Sequence, residues 1–255
     1  MNELRVSVAT FNQVIFPHPE NGTMMLVLER KATVLMDGSV SVCAQPLGGG
    51  VKLRSTNALK EIVGEINFDS DRSRQEQDFR ILIDPAVWEA VKQYCLLHLQ
   101  ELEDPELESA PDRELVEEFE ETIGMALMPR QYTVRPLGLV IEDNPVGTEN
   151  WYARGIPTVR VYRTYKVKID EWDLRQKLVD TSQQVSDDIL AKRALENEKG
   201  RANSVLALPL DRVREAFFAL PPNQRFKKIK VDSHQLDESV LVVLEDIEVS
   251  QYQRL

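Results

Sequence analysis

The sequence is poor in the residues that build zinc sites and disulfide frameworks. It has two cysteines, Cys43 and Cys95, and three histidines that lie far apart at positions 18, 98 and 234. Neither cysteine belongs to a Cys-x-x-Cys pair, so a structural zinc site is not expected. A disulfide framework is not expected either, and a reducing cytoplasm is the predicted location. The sequence also lacks a Ser-His-Asp or Cys-His order typical of covalent catalysis.

Long apolar runs are missing too. No segment approaches the roughly 18 apolar residues of a membrane span, and residues 1–5 (MNELR) do not resemble a signal peptide. The formal net charge of −11 at pH 7 argues against non-specific binding to duplex nucleic acid or to an anionic membrane surface. A local basic pocket for a small phosphorylated ligand is compatible with that charge. The chain of 255 residues is long enough to bury a sizeable core.

What the chain does contain is a series of strand patterns interrupted by helical ones. Residues 4–15, 132–141 and 158–169 are rich in β-branched residues, which is typical of strands. Asp84 followed by Pro85 predicts the capped start of a helix. Strands, helix, strands and helix follow one another without a clear linker, so we predict an α+β fold in one domain spanning the chain.

The most distinctive segment is an acidic stretch, residues 113–124 (RELVEEFEETIG). Residues three and four apart share a face of a helix, so an apolar side can anchor this helix while carboxylates gather elsewhere. Mg²⁺ prefers a few carboxylates together with waters and substrate phosphates, and the pattern therefore fits metal-assisted phosphate chemistry. A solvated acidic face is the alternative. Asp112 is the expected N-cap and Gly124 the expected stop.

The same stretch resembles the signature of the Nudix hydrolases. That signature reads glycine, five residues, glutamate, seven residues, and then Arg-Glu-apolar-x-Glu-Glu-x-Gly. Residues 113–119 (RELVEEF) match its second half up to the final glycine, and residues 46–50 (PLGGG) resemble the Pro-Gly-Gly turn ahead of the family's catalytic helix. The resemblance implies an α/β/α sandwich with a mixed sheet, and hydrolysis of a diphosphate linkage in a nucleoside diphosphate derivative.

The sequence departs from that signature at several points. Glu120 stands where the signature has its final glycine. Gly50 and Arg113 are 63 positions apart, which places a long, partly helical insertion at about 51–112. The polar stretch 67–78 within it is expected to be an exposed loop, and a helical extension is expected at about 209–255. Two residues are candidates for the upstream glutamate of the signature, Glu61 and Glu108.

Carried over residue by residue, the resemblance implies a site for Mg²⁺ or Mn²⁺. Arg113 would orient a carboxylate through a bidentate pair, and a backbone carbonyl near Gly49 or Gly50 would be a further ligand. The metal would bridge diphosphate oxygens and help to activate an attacking water. The carboxylates predicted to bind it are Glu114, Glu117 and Glu118, with Glu121 one turn further on.

Substrate-binding residues are predicted in two regions. The three consecutive glycines Gly48, Gly49 and Gly50 let the backbone approach a ligand closely, although a plain flexible turn is the alternative. The loop between the strands 132–141 and 158–169 adds aromatic rings for stacking on a nucleobase, planar donors for phosphate and general-base candidates. These are Trp151 and Tyr152, Arg154 and Arg160, and Glu142 and Glu149, respectively.

Two other functions compete with hydrolysis. One is a catalytically altered Nudix-like module that binds or senses a nucleotide, motivated by Glu120 and by the displaced first half of the signature. The other is an interaction protein whose acidic helix docks onto a basic partner, which the net charge permits. For the hydrolase, the expected partner is a small-molecule nucleotide, without duplex nucleic acid or membrane, and a homodimer is expected by analogy with similar proteins.

Overall fold

The computed structural model describes residues 3–124, 126–147, 153–225, 227–244 and 251–254. Helices and strands follow one another in a mixed α+β arrangement, as predicted. The helices are α1 (Asn57–Val63), α2 (Asp71–Glu76), α3 (Trp88–His98), α4 (Pro111–Ile123), α5 (Trp172–Gln184), α6 (Asp187–Glu196), α7 (Leu210–Phe218) and α8 (Val240–Leu244). The strands are β1 (Leu4–Pro17), β2 (Met24–Val34), β3 (Val40–Gln45), β4 (Leu47–Gly50), β5 (Lys52–Leu53), β6 (Asn67–Phe68), β7 (Arg80–Ile83), β8 (Leu107–Glu108), β9 (Tyr132–Gly147), β10 (Pro157–Ile169), β11 (Arg201–Pro209), β12 (Ile229–Val231), β13 (His234–Leu236) and β14 (Gln251–Arg254).

Strand β1 lies at the centre of a mixed sheet that contains twelve of the described strands. One edge of β1 pairs in parallel with β10. Its other edge pairs antiparallel with β7, β4 and β2 in turn. Strand β2 also pairs with β3 and β11, and β10 pairs with β9. The remaining two described strands, β5 and β8, form a small ladder of their own.

The two faces of β1 have different surroundings because side chains alternate along a strand. Val6, Val8 and Val14 lie on one face and are fully buried in apolar clusters that also contain residues of α3 and α4. Ala9 and Phe11 lie on the other face and line an open cleft. Helices α3 and α4 therefore pack against one face of β1, and the cleft opens on the other face, where Val242 of α8 packs against Ala9.

Helix α4 is anchored to the buried face by Leu115 and Phe119, both fully buried. They share an apolar cluster with Val14 of β1 and Leu47 of β4. Burying a side chain of this kind contributes about 1.5–3 kcal/mol to stability. The apolar anchors expected from helical spacing are thus confirmed for these two residues.

Of the two predicted ends of α4, the C-terminal glycine stop is confirmed and the N-cap is not. Gly124 follows the helix with a φ of +66°, as expected for a glycine stop. The prediction of Asp112 as the N-cap is wrong, because the helix begins at Pro111 and Ala110 is the cap residue. Proline suits the first helical position, since its missing N–H would have no partner there. Asp112 instead accepts a hydrogen bond of 2.5 Å from the Tyr132 hydroxyl.

The segment 51–112 is only partly helical. It contains α1, α2 and α3, but its strand β7 pairs with β1 and so belongs to the main sheet. The stretch 67–78, expected as a loop, forms β6 and α2, and Ser70 caps α2 by accepting a hydrogen bond from the Ser73 amide. Asp84 caps the predicted helix start through the Ala86 amide, ahead of a short 3-10 turn and α3.

The region 209–255 is not simply a helical extension. It contains α7 and α8, but also β12, β13 and β14. Strand β13 pairs with β3 and β14 pairs with β9, so this region adds strands at both sides of the sheet. In the described parts of the chain, no helix has the length and apolar character needed to span a membrane.

Candidate functional site

An open cleft of about 1370 Å³ lies on the face of the sheet that the α4 anchors leave uncovered. Its floor includes Phe11 of β1 and Tyr162 of β10, whose rings stack with centroids 5.3 Å apart. Strand β4 and the acidic side of α4 line one wall. The segment just ahead of α8 lines another, and residues of the insertion line one end.

Three of the four predicted metal-binding carboxylates line this cleft, namely Glu117, Glu118 and Glu121. The side chain of Glu114 lies outside the described parts of the structure. Glu117 is well exposed, with 57% of its side chain accessible. Among the described residues, no three His, Cys, Asp or Glu side chains already converge as ligands of one ion. Accessible carboxylates nevertheless form the kind of donor set that a hydrated Mg²⁺ uses.

Arg113 connects three elements of the cleft wall. Its Nε donates a hydrogen bond of 2.8 Å to Glu108 of β8, and its Nη1 donates one of 3.2 Å to Glu117 one turn along α4. Its Nη2 reaches the carbonyl of Gly50 at 3.4 Å. Arg113 therefore contacts two carboxylates, and it also links α4 to β4. Of the two candidates for the upstream glutamate, Glu108 lies here, whereas Glu61 is exposed on α1.

The glycines of β4 form a strand rather than a turn, because they pair antiparallel with residues 9–12 of β1. Gly48 has a φ of +149°, and a Cβ there would lie 2.1 Å from the carbonyl oxygen of Thr10. A Cβ on Gly50 would lie 2.8 Å from the Asp78 carboxylate. Because these glycines have no side chain, the Thr10 carbonyl can lie directly against Gly48, and the Asp78 carboxylate of the insertion can lie directly against Gly50.

Asp78 is the centre of a charge cluster at the insertion end of the cleft. Its side chain is buried, with 4% accessible, and it lies 2.7 Å from Lys52 Nζ and 3.3 Å from Arg80 Nη1. Lys52 also approaches Glu76 of α2 at 3.6 Å. All four residues line the cleft. The insertion therefore contributes directly to the candidate site instead of lying apart from it.

The cleft does not share the strongly negative charge of the chain. Its lining contains nine basic and eight acidic side chains, whereas the chain as a whole carries a net charge of −11. A basic side chain on the floor, Arg160, pairs with Glu142 at 3.4 Å. The exposed Lys227 and Lys228 also line the cleft. An anionic ligand in the cleft would thus meet nearby cations that offset the acidic surroundings.

Glu238 is a further carboxylate on the cleft wall, just ahead of α8. Desolvation, followed by the negative charges of Asp237 and Glu142, raises the pKa of Glu238, while Arg160 and Lys228 oppose this shift. A carboxylate of raised pKa is a better proton acceptor than an ordinary one. Nothing in the local sequence singled out this residue.

The predicted loop residues are distributed unevenly around the cleft. Arg160 lines it, whereas the exposed Arg154 is not among the lining residues. Glu142 does not line it either, because its carboxylate lies against Arg160. The remaining predictions for this loop lie outside the described residues; they concern Glu149, Trp151 and Tyr152.

Sequence reasoning also missed most of the lining that comes from β1, β7 and the segment before α8. Strand alternation would have placed Phe11 on the same face as Ala9, but only the pairing of distant strands shows that this face is open. Asp78 and Arg80 lie in a stretch with an unremarkable polar composition.

Comparison of the sequence with models of known protein families gave no match, and comparison with curated proteins gave none either.

Proposed function

We propose that this protein is a divergent Nudix-type hydrolase that cleaves a diphosphate linkage in a nucleoside diphosphate derivative, with Mg²⁺ or Mn²⁺ as cofactor. The observation that carries the proposal is the position of α4. Its carboxylates Glu117, Glu118 and Glu121 line a large cleft beside the glycine strand β4, and Arg113 joins the two elements. If the acidic face of α4 were merely solvated, there would be no reason for it to line a cleft beside β4.

The residues that would hold the metal are the cleft-lining carboxylates of α4, together with Glu114 by analogy with the signature. The chemistry of this donor set fits a hard divalent cation that keeps several waters. Bound there, the metal would neutralise charge on the diphosphate and lower the pKa of a water. Arg113 holds Glu117 in place, and Glu238, just ahead of α8, is the described cleft carboxylate best suited to accept a proton.

The size and lining of the cleft support an extended phosphorylated substrate. Its volume of about 1370 Å³ exceeds the roughly 300–1,000 Å³ typical of pockets for drug-sized ligands. Lys227 and Lys228, which also line the cleft, supply positive charge for phosphate groups. Among the described lining residues, the stacked pair Phe11 and Tyr162 offers an aromatic surface for a base. We propose that this pair supplements or replaces the stacking role predicted for Trp151 and Tyr152.

The test is turnover of a substrate panel with Mg²⁺ or Mn²⁺. The panel contains ADP-ribose, NAD, dinucleoside polyphosphates and nucleoside triphosphates. We expect metal-dependent hydrolysis of at least one member, and a loss of about 100-fold or more in a Glu117→Gln/Glu118→Gln variant, because charge stabilisation at the reacting phosphate is lost.

A matched control is available on the same helix. Glu120 is exposed on α4 and does not line the cleft, so Glu120→Gln removes one carboxylate charge from the same helix without touching the site. We expect this variant to keep wild-type turnover. Turnover that survives the Glu117/Glu118 double substitution would refute the assigned site. Nucleotide binding without turnover of any panel member would favour the sensing module over the hydrolase.

A further inference from the structure

Three arginines are almost completely buried, and their charges are compensated in different ways. The side chains of Arg5, Arg30 and Arg163 are each at most 2% accessible. Arg5 lies 2.7 Å from the buried Asp69 carboxylate, and Arg30 lies 2.8 Å from Asp187. Arg163 has no carboxylate within ion-pair distance among the described residues. Among the buried arginines of the described residues, Arg163 thus has no carboxylate counter-charge.

The contacts of Arg163 are all with neutral groups. Its Nε donates to the Tyr165 hydroxyl at 3.2 Å, and its Nη2 donates to the Gln100 carbonyl at 3.1 Å. The guanidinium also lies 5.0 Å from the centre of the Tyr165 ring. Its Nη1 is buried and has no hydrogen-bond partner in the described part of the chain. Guanidinium cannot lose its proton under ordinary conditions, so the positive charge remains.

Two other buried polar side chains near Arg163 also lack partners. Thr10 of β1 lies opposite Arg163 in the parallel pairing, and Asn12 lies opposite Tyr165 on the same face. Neither side-chain atom of Asn12, which is fully buried, has a hydrogen-bond partner among the described residues. The Thr10 hydroxyl donates to the carbonyl of Ser109, whose own buried hydroxyl is likewise unsatisfied in this description. The register of β1 and β10 thus places unsatisfied groups at neighbouring positions on one face of the sheet, beside the segment that contains Ser109.

We propose that this place is a binding site for a small monovalent anion of halide size. The groups around it are rich in donors, because Arg163 Nη1 and the Asn12 amide each carry N–H groups and the Ser109 hydroxyl can rotate to donate. An unpaired buried charge is strongly unfavourable, and an anion would supply the missing negative charge as well as the acceptor. A water molecule could satisfy the hydrogen bonds but would leave the charge uncompensated. The dense packing of a protein core favours a monatomic anion over a larger one.

The site lies outside the cleft and does not depend on the proposed hydrolysis. None of Arg163, Asn12 and Ser109 lines the cleft. Ser109 stands two residues ahead of Pro111, where α4 begins. An anion held here would therefore stabilise the segment that leads into α4, and its loss is expected to lower the stability of the fold.

Crystals of the wild-type protein provide a direct test. The protein is refolded and crystallised in sodium bromide, because an interior site exchanges slowly with a brief soak, and anomalous scattering is measured at the bromine edge. We expect a bromide peak in contact with Arg163 Nη1 and the Asn12 amide. Ordered water alone at this position, with bromide only at the surface, would overturn the proposal.

Thermal unfolding provides an independent readout in solution. Wild-type protein is compared in bromide and in gluconate, which is too large for the site, at equal ionic strength. We expect a melting temperature higher in bromide by about 2 °C or more, because ligand binding to the folded state stabilises it. This difference should persist in Arg212→Met, which removes an exposed arginine paired with Asp232, and disappear in Arg163→Met. An equal bromide effect in both variants would contradict a site at Arg163.

Discussion

Replacing Gly50 by alanine tests how the insertion is joined to the glycine strand. The backbone of Gly50 is not in the left-handed region, so alanine fits the local conformation. The new Cβ, however, would lie 2.8 Å from Asp78 Oδ1 and 2.9 Å from its Cγ. Asp78 cannot simply turn away, because it is buried against Lys52 and Arg80. Either the carboxylate or the strand must move.

The expected cost follows from two opposing effects. Overpacking of this kind destabilises a fold by about 1–3 kcal/mol. Replacing glycine by alanine also restricts the unfolded chain, which returns about 0.4–1 kcal/mol. We therefore expect Gly50→Ala to lose about 1–2 kcal/mol of unfolding free energy, which corresponds to a fall of roughly 2–8 °C in melting temperature.

Gly147→Ala is the matched control for this experiment. Gly147 also lines the cleft, and a Cβ there would meet its nearest neighbour at an ordinary distance of 3.7 Å. Urea unfolding of both variants should show Gly147→Ala as stable as wild type or slightly more stable. In an Asp78→Ala background, Gly50→Ala should no longer destabilise, because the clashing carboxylate is gone. A Gly50→Ala protein as stable as Gly147→Ala would refute the packing described for Asp78.

Two further predictions concern titration. Burial raises the pKa of Cys43 to about 11. Because the thiolate is the reactive form, alkylation of Cys43 in the native protein should be slow at pH 8 and should accelerate roughly tenfold per pH unit up to pH 9. An alkylation rate that levels off near pH 8 would contradict this pKa. Burial raises the pKa of Asp104, but hydrogen bonds from His98 and from the Leu107 and Glu106 amides outweigh it, and the pKa is lowered. The stabilisation is therefore present above the ordinary carboxyl pKa and lost as the pH falls through the lowered one. Asp104→Asn should cost stability in urea at pH 7, with a difference from wild type that shrinks below about pH 4; a difference independent of pH would count against it.

Helix α4 was the most predictable part of the site because its information is local. Helical spacing alone placed Leu115 and Phe119 on the buried side and Glu117 and Glu121 on another. The N-terminal end was harder to predict, since both Asp112 and Pro111 are favourable near a helix start and only the backbone decides between them.

The remainder of the cleft depends on contacts between distant residues, which composition cannot reveal. Three consecutive glycines are typical of a turn, but pairing with β1 makes residues 47–50 a strand. The stretch 67–78 is polar enough for a loop, yet its last residue, Asp78, is buried against Lys52 and Gly50. Glu238 reaches the cleft because β13 pairs with β3, far away in sequence.

The proposed function requires that the acidic side of α4 hold a catalytic metal at the cleft. The most direct measurement is anomalous diffraction at the manganese edge from crystals grown with Mn²⁺ and a non-hydrolysable diphosphate analogue. We predict a manganese peak in contact with Glu117 or Glu118 and with the analogue's phosphate oxygens. A manganese ion bound elsewhere in the cleft, or a bound analogue without an ion at α4, would contradict a metal site on this helix.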